Sequence, residues 1–503
     1  MRAVVVGGGF GGLASAAVLA RMGFQVTVVE KNFALGGRAR AFSEKGFTFD
    51  MGPSWYLMPE VFDRFFQAIG FRREDFYGLR KLDPSFEVVT DSARIKVKPD
   101  AGANRATLDS LEEGGYSKFM RYLRECSEIY RKTMSSLLYR PYSGMRSMLS
   151  PSVLRAALGM RLFSSMQEMN SSYFSSREML YLTGFSSVFL GGDPSSIPAV
   201  YSMVNASIFG DGVFYPEGGF ASVVGALAKA GQRLGVKFVT GEEIVGIRAS
   251  GSRVTAVEGD HETYWGDLFV FNADYHHVEQ DLLEPGLRSY SDAYWASRDV
   301  SPSALIAYIG LSGKLGLNHH TIVIKGDWEE HFQSIRKRSS GIPEDFAFYA
   351  SARSKSDPSV APQGCENLFL LIPVSVNFQE SDTNRERTVQ RALERLEEIT
   401  GEGIRQRIVY MKTYCRRDFE KDYNAFLGSA FGLSQTLGQT AGLRPAMRSR
   451  KLRNMFYAGQ YTHPGIGVPM TLISAQVLGS LISGSSYWPS EARLEDRNLA
   501  ETS

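Results

Sequence analysis

The N-terminal segment constrains this chain more than any other. Ala3-Val4-Val5-Val6 is a short apolar run suited to a strand buried on both faces. It leads straight into Gly7-Gly8-Gly9-Phe10-Gly11-Gly12, which holds the spacing G-x-G-x-x-G at Gly7, Gly9 and Gly12. An alanine-rich helix is predicted over 13–22, closed by Gly23, and a second strand over 25–29 ends at Glu30. Each part has a physical task. Gly7 permits a tight turn, Gly9 lets backbone approach a pyrophosphate, and Gly12 lets helix and strand pack closely. The helix start offers free N–H groups and a positive dipole end to phosphate. Glu30, 18 residues beyond Gly12, can accept hydrogen bonds from ribose hydroxyls. A ligand-free glycine turn would explain the glycines but not strand, helix, strand and acid in register. The segment predicts a dinucleotide site.

Two further stretches extend it. Gly36-Gly37-Arg38 adds backbone donors and a guanidinium suited to a pyrophosphate, and Phe47-Thr48-Phe49-Asp50 reads as a strand running into Met51-Gly52-Pro53. Far away, Asn454 to Gly459 reads as a strand ending in glycine, followed by a loop to Pro469 and an amphipathic helix over 471–482. Proline fits at or just before a helix start. Gly465 and Gly467 would admit a flat ring close to the backbone, and the helix dipole would stabilise negative charge on it. Both ends of the chain then meet at one cofactor, and the nucleotide domain is discontinuous.

A second glycine cluster soon after the ribose acid resembles the flavin amine-oxidase and carotenoid-desaturase superfamily, which implies FAD. Tyr457 to Pro469, containing Thr462-His463-Pro464-Gly465, is similar to the C-terminal signature of bacterial-type phytoene desaturases. Gly191-Gly192-Asp193-Pro194, Pro216-Glu217-Gly218-Gly219, Asn272-Ala273-Asp274, Asp357 to Gly364, Asn424 to Phe431 and Arg444-Pro445 agree in order along the chain. The resemblance spans residues 1 to about 482. Tyr461 and Met470 depart from the family pattern and bear on which carotenoid is used. The resemblance implies that Gly7, Gly9, Phe10, Gly12, Glu30, Lys31, Gly37 and Arg38 hold ADP. It implies that Ile244, placed with the strand pattern Gly235 to Phe238, reaches adenine through its backbone. Gly52, Pro53, Gly459, Gly467, Val468 and Met470 are then expected near the flavin.

The 503 residues, 43% hydrophobic and 22% charged, fit a soluble globular chain of two or three domains. The expected fold is α/β: a discontinuous Rossmann-like FAD-binding domain (1–80, 214–290, 430–482) with an antiparallel-sheet substrate domain (82–107, 291–429). A helical region over 108–213 and a disordered tail over 483–503 complete it. A net charge of +2 gives no reason to expect nucleic acid. Cys126, Cys365 and Cys415 are far apart, and the histidines lack ligand spacing, so no metal is expected. With a strand from Arg2 and no run of about 18 apolar residues, neither signal peptide nor membrane span is expected. The expected location is cytoplasmic, peripheral at the inner face of the membrane.

Residues 131–167 carry six basic side chains and no acid except at the following Glu168; these are Arg131, Lys132, Arg140, Arg146, Arg155 and Arg161. Met134, Leu137, Leu138, Tyr139, Met145, Met148, Leu149, Leu154, Leu158, Met160, Leu162, Phe163 and Met166 lie between them. This pattern fits a helical segment on a membrane surface, basic groups at headgroups and apolar groups below. A basic solvated face over an ordinary core fits equally well.

The family resemblance implies a hydrophobic carotenoid substrate, phytoene desaturated towards lycopene, with hydride passing to flavin N5 and oxygen or a quinone as electron acceptor. C30 desaturation, isomerisation and saturation stay open. Trp55, Phe431, Tyr461 and Thr462 are candidate substrate-tunnel residues, and His463 is a candidate for proton handling or for holding its loop. A flavin amine oxidase would want an aromatic cage and an acid, and often a covalent-flavin cysteine beyond Cys415. A non-enzymatic carotenoid carrier would have no need of intact glycines and Glu30.

Overall fold

The computed structural model describes residues 1–484 apart from 143, 152 and 154–158. The tail from residue 485 onward lies outside the described residues, as do Leu154, Arg155 and Leu158.

The five strands of the first sheet come from three widely separated stretches of chain. Their spatial order is Met455–Tyr457, Leu268–Phe271, Arg2–Val6, Gln25–Glu30, Lys237–Thr240, all parallel. Register aligns Val6 with Val29 and Phe271, and Phe271 with Tyr457. All carboxyl ends therefore share one edge. Arg2–Val6 sits where strand order reverses, the place where open α/β sheets bind ligands. Helices Phe10–Arg21 and Val468–Ser483 pack together on this sheet and are mostly buried, which their alanine, glycine and aliphatic sequences allow. The C-terminal helix starts at Val468, earlier than the pattern predicts, with Pro469 in its first turn.

The second sheet has seven strands, ordered Ile408–Tyr414, Ser303–Leu311, Glu366–Val374, Phe348–Ala352, His320–Val323, Phe86–Val89, Arg94–Val97. It corrects the expectation of a purely antiparallel sheet. His320–Val323 runs parallel to Phe86–Val89, because Phe86–Val89 arrives from a distant part of the chain and not through a hairpin. Ser303–Leu311 is buried along its whole length, covered on both faces, which explains its lack of polar alternation.

Ile244 also departs from expectation. It opens a separate three-stranded antiparallel sheet, Ile244–Ser250, Arg253–Gly259 and Thr263–Trp265, and is not part of Lys237–Thr240. Gly241, at φ 75°, turns the chain between the two strands. Between the sheets, the described part of 108–213 is helical, led by the amphipathic Gly115–Ser136, with Phe119, Tyr122, Cys126 and Ile129 on its buried face. No described helix is long and apolar enough to cross a membrane.

A buried ion pair ties the hairpin that ends at Asp50 to the end of the second sheet's strand Phe348–Ala352. Asp50, at the end of strand Phe47–Asp50, accepts from Phe220 N at 3.0 Å and Ala221 N at 3.3 Å, at the start of helix Gly219–Arg233. It also accepts from Arg353 Nη1, and Arg353 Nη2 donates to Thr48 O at 2.7 Å. One carboxylate thus gathers the hairpin ending at Asp50, a helix N-terminus and the residue that follows strand Phe348–Ala352 of the second sheet.

Candidate functional site

The site begins where the first strand stops. Gly7 takes φ 97° and its successor Gly8 N donates to Glu30 Oε2 at 2.6 Å. Asn32 N and Nδ2 donate to Glu30 Oε1 at 2.9 and 2.8 Å. Oε1 is thereby filled while Oε2, with one donor, keeps acceptor capacity on a carboxylate that lines the cavity. Helix Phe10–Arg21 starts at Gly9 with no side-chain cap and no acid in its first turn. Its leading N–H groups are left for an anion.

The glycines are there for close approach. A Cβ on Gly12 would overlap the Gly7 carbonyl oxygen, and one on Gly37 would stand 3.1 Å from Gly9 Cα. Gly36 N donates to Gly8 O at 2.8 Å, closing the two glycine clusters into one cradle. Gly52 lies so close to Arg38 that a Cβ would be 2.5 Å from its carbonyl oxygen. Asn272 is a further member that motif reasoning named only as part of a family block. Its Nδ2 donates to Ala458 O at 3.0 Å, and a Cβ on Gly11 would stand 2.5 Å from that nitrogen. It ties the N-terminal turn to the C-terminal strand.

Across the cradle, the loop after Met455–Tyr457 is held by buried groups. Arg444 Nη2 donates to Gln460 O at 2.6 Å and its Nε to Tyr461 O at 3.1 Å. Burial lowers this guanidinium to about 10, still protonated near neutral pH. Gly465 takes φ 118° against the Gln435 amide, and Gly467 takes φ 120° just before helix Val468–Ser483. That helix too starts with neither side-chain cap nor acid. Two helix N-termini therefore face one cavity.

The cavity holds about 580 Å3 and runs from the glycine cradle to the second sheet. Gly7, Gly9, Phe10, Glu30, Lys31, Gly37, Arg38, Gly52, Pro53, Ile244, Gly467, Val468 and Met470 all line it. So do Trp55, Phe431, Tyr461 and His463. Gly12 and Gly459 stand directly behind the lining. Thr462 is a correction: it is fully buried away from the cavity, its hydroxyl donating to Gly459 O at 2.9 Å within the loop. Tyr461 presents its ring, while its hydroxyl is bonded to Asp274 Oδ2 at 2.6 Å. His463 Nε2 donates to Leu138 O at 2.8 Å, tying the loop to the helical region. Burial lowers its imidazole to about 4, so the ring is neutral. None of the three cysteines lines the cavity.

At the nucleotide end the structure brings together residues from four separate places. Lys31 Nζ pairs with Glu243 Oε1 at 3.0 Å and donates to Asn424 Oδ1 at 2.8 Å, and Asn424 Nδ2 reaches Glu243 and His277, both at 3.0 Å. Tyr423 faces the guanidinium groups of Arg38 at 5.0 Å and Arg40 at 5.2 Å. No local pattern in the sequence could have joined them.

These residues fit a flavin dinucleotide. The buried Arg38 Nε lines the cradle without a protein partner, the glycines clear a path for a pyrophosphate, and Glu30 retains an acceptor. Among the described residues no cluster of His, Cys, Asp or Glu could hold a metal ion.

Comparison with known proteins agrees with this geometry. Residues 10–476 match the family described as flavin containing amine oxidoreductase. A carotenoid 3,4-desaturase of Haloarcula japonica is 40% identical over 94% of this chain and 96% of its own length. A zeta-carotene-forming phytoene desaturase of Myxococcus xanthus is 33% identical over 95% of this chain and 93% of its own length. In structure, an oxidoreductase from Methanosarcina mazei superposes with TM-score 0.63 at 19% identity, covering 95% of this chain and 99% of that one. The chain therefore belongs to the carotenoid desaturase family of the flavin amine-oxidase superfamily, FAD-dependent oxidoreductases acting on CH–CH bonds.

Proposed function

We propose that this chain introduces carbon–carbon double bonds into a linear carotenoid. The observation that carries this reading is the continuity of the cavity. One end is the glycine cradle, and the other is walled by Phe185, Phe189, Val200, Val204, Ile324 and Phe332, with no carboxylate among them. An amine substrate would lack a counter-charge there; a polyene needs none. FAD, when bound, supplies the acceptor for the two electrons and the hydrogen taken from one carbon. The residues supply the rest: Trp55, half-buried and packed against Phe86, Phe185 and Phe189, keeps the wall dry, and the loop braced by Arg444 and His463 fixes the mouth of the flavin end.

Phytoene is the substrate that the motif pattern favours, whereas the 40% identity to a carotenoid 3,4-desaturase favours desaturation of a carotenoid at its 3,4 positions. Expression in cells accumulating phytoene and in cells accumulating lycopene, with pigments separated chromatographically, distinguishes them. More conjugated products are expected in one strain; unchanged pigments in both would sink the reading.

We further propose that substrate arrives from a lipid surface through the 131–167 segment. Leu137, Leu138, Met148 and Leu162 line the cavity, while Phe163 is 90% and Leu149 64% exposed on the same segment. Met134, Met160 and Met166 are buried in the core and do not face outward. Flotation with anionic vesicles should recover the protein at low salt and release it at high salt. Absence of the protein from the vesicle fraction at low salt would refute the docking.

A further inference from the structure

Desaturation releases a proton as well as a hydride, and the apolar half of the cavity has few places to put it. Most polar groups there are already spent. The Tyr201 hydroxyl is bonded to Thr440 at 2.5 Å, Tyr461 to Asp274 and His463 to a carbonyl. Tyr349 differs in kind. It lines the cavity together with Pro53, Ser54 and Trp55, and its hydroxyl is 2.5 Å from a base, Nδ1 of His320.

His320 is fully buried and held flat. Trp55 stacks on its ring at 4.6 Å and 17°, and strand His320–Val323 is paired on both sides. Its Nε2 has no protein partner, nor has Nε2 of His319, whose ring centroid lies 4.4 Å away. His319 Nδ1 reaches Ser356 Oγ at 2.7 Å. Ser356 is half-buried, and its carbonyl is bonded by Arg80 at the surface, at 2.6 Å. Exchangeable groups thus stand in order from the cavity wall to a half-buried serine, with the two imidazoles adjacent but not hydrogen-bonded to each other.

We propose that Tyr349 and His320 take up the proton released in desaturation, and that His319 and Ser356 pass it outward; this rests on the carotenoid-desaturase reading above. In balance, FAD when bound would take up the hydride of one carbon, two electrons and a hydrogen. The adjacent C–H bond then breaks, its electron pair becoming the new π bond and its proton going to Tyr349 Oη. The hydroxyl's own proton moves to His320 Nδ1, and the imidazolium sheds its Nε2 proton towards His319. Burial lowers His320 well below the usual imidazole range and His319 to about 3, with Arg353 beside His319 adding to the effect and Asp357 opposing it. Both rings are therefore neutral, the form that accepts a proton, and neither retains one. So weak a base suffices because a C–H bond beside an electron-deficient allylic carbon is strongly acidic.

The test is anaerobic mixing of the FAD-loaded enzyme with the carotenoid found by the pigment assay, following loss of oxidised-flavin absorbance. Tyr349→Phe and His320→Gln are each expected to slow this reduction by roughly a hundredfold, with FAD content and carotenoid affinity unchanged. In deuterated water the wild-type reduction should slow, and that isotope effect should vanish in Tyr349→Phe. Reduction at the wild-type rate in either variant, or an isotope effect that survives loss of the hydroxyl, overturns the relay. A carotenoid that fails to reduce the wild-type flavin overturns the desaturase reading instead.

Discussion

Gly12→Ala is expected to yield a protein that folds poorly and is purified with little or no flavin. The added methyl would meet the Gly7 carbonyl oxygen, a backbone atom held by the turn that forms the nucleotide cradle. Gly7 N is itself bonded to Val29 O at 2.8 Å, so the turn cannot retreat without leaving the sheet. Overpacking of this kind costs about 1–3 kcal/mol, or roughly fivefold to somewhat over a hundredfold in FAD affinity where the cost falls on the bound geometry. The ratio of flavin to protein absorbance after purification and the affinity of the apoprotein for added FAD measure it. Gly225→Ala is the control: it lies in helix Gly219–Arg233 with nothing within 4 Å of an added Cβ, and should be neutral or slightly stabilising. If Gly12→Ala retained full flavin and wild-type affinity, the close-packed cradle described here would be wrong.

Arg353→Met should be the most destabilising single change outside the cofactor site. Asp50 and Arg353 are 4% and 3% exposed, and removing the guanidinium leaves a buried carboxylate with only two backbone donors, those of Phe220 and Ala221. Stripping one partner from a buried ion pair costs about 3–5 kcal/mol. Thr48 O would also lose its bond from Arg353, though Asn367 Nδ2 still donates to it at 2.6 Å. The midpoint of urea unfolding should fall clearly, and the double variant Asp50→Asn with Arg353→Met should recover part of the loss. An unchanged midpoint in the single variant would show that the pair does not hold the Phe47–Asp50 hairpin to the second sheet.

The two variants probe features of different origin. The cradle around Gly12 was legible because residues 7–12 and Glu30 form it within one strand–helix–strand unit, where each residue type answers a local demand. The C-terminal loop was legible for a similar reason: glycine, proline and a following helix mark a backbone that must pass close to something flat. Asp50 and Arg353 carried no such signal, since a carboxylate and a guanidinium three hundred residues apart look like any other surface charges. Thr462 misled because a hydroxyl in a cofactor loop reads the same whether it points at the ligand or braces the loop. The burial of Met134, Met160 and Met166 was not legible, because hydrophobicity says that a side chain avoids water, not whether it turns to lipid or to an interior chamber.

By itself, then, the sequence determined a dinucleotide cradle at Gly7 to Glu30, its completion by Gly459 to Met470, and the family these imply. Short-range sterics and helix-end electrostatics act within a few residues, so they leave marks that can be read in order. Only the tertiary structure decided that Lys31, Glu243, His277 and Asn424 meet at the nucleotide end, that Ile244 belongs to a separate sheet, and that Tyr349 faces the cavity with His320 behind it. Those contacts are made by strands and loops distant in sequence, and the packing that joins them leaves no periodicity in the chain.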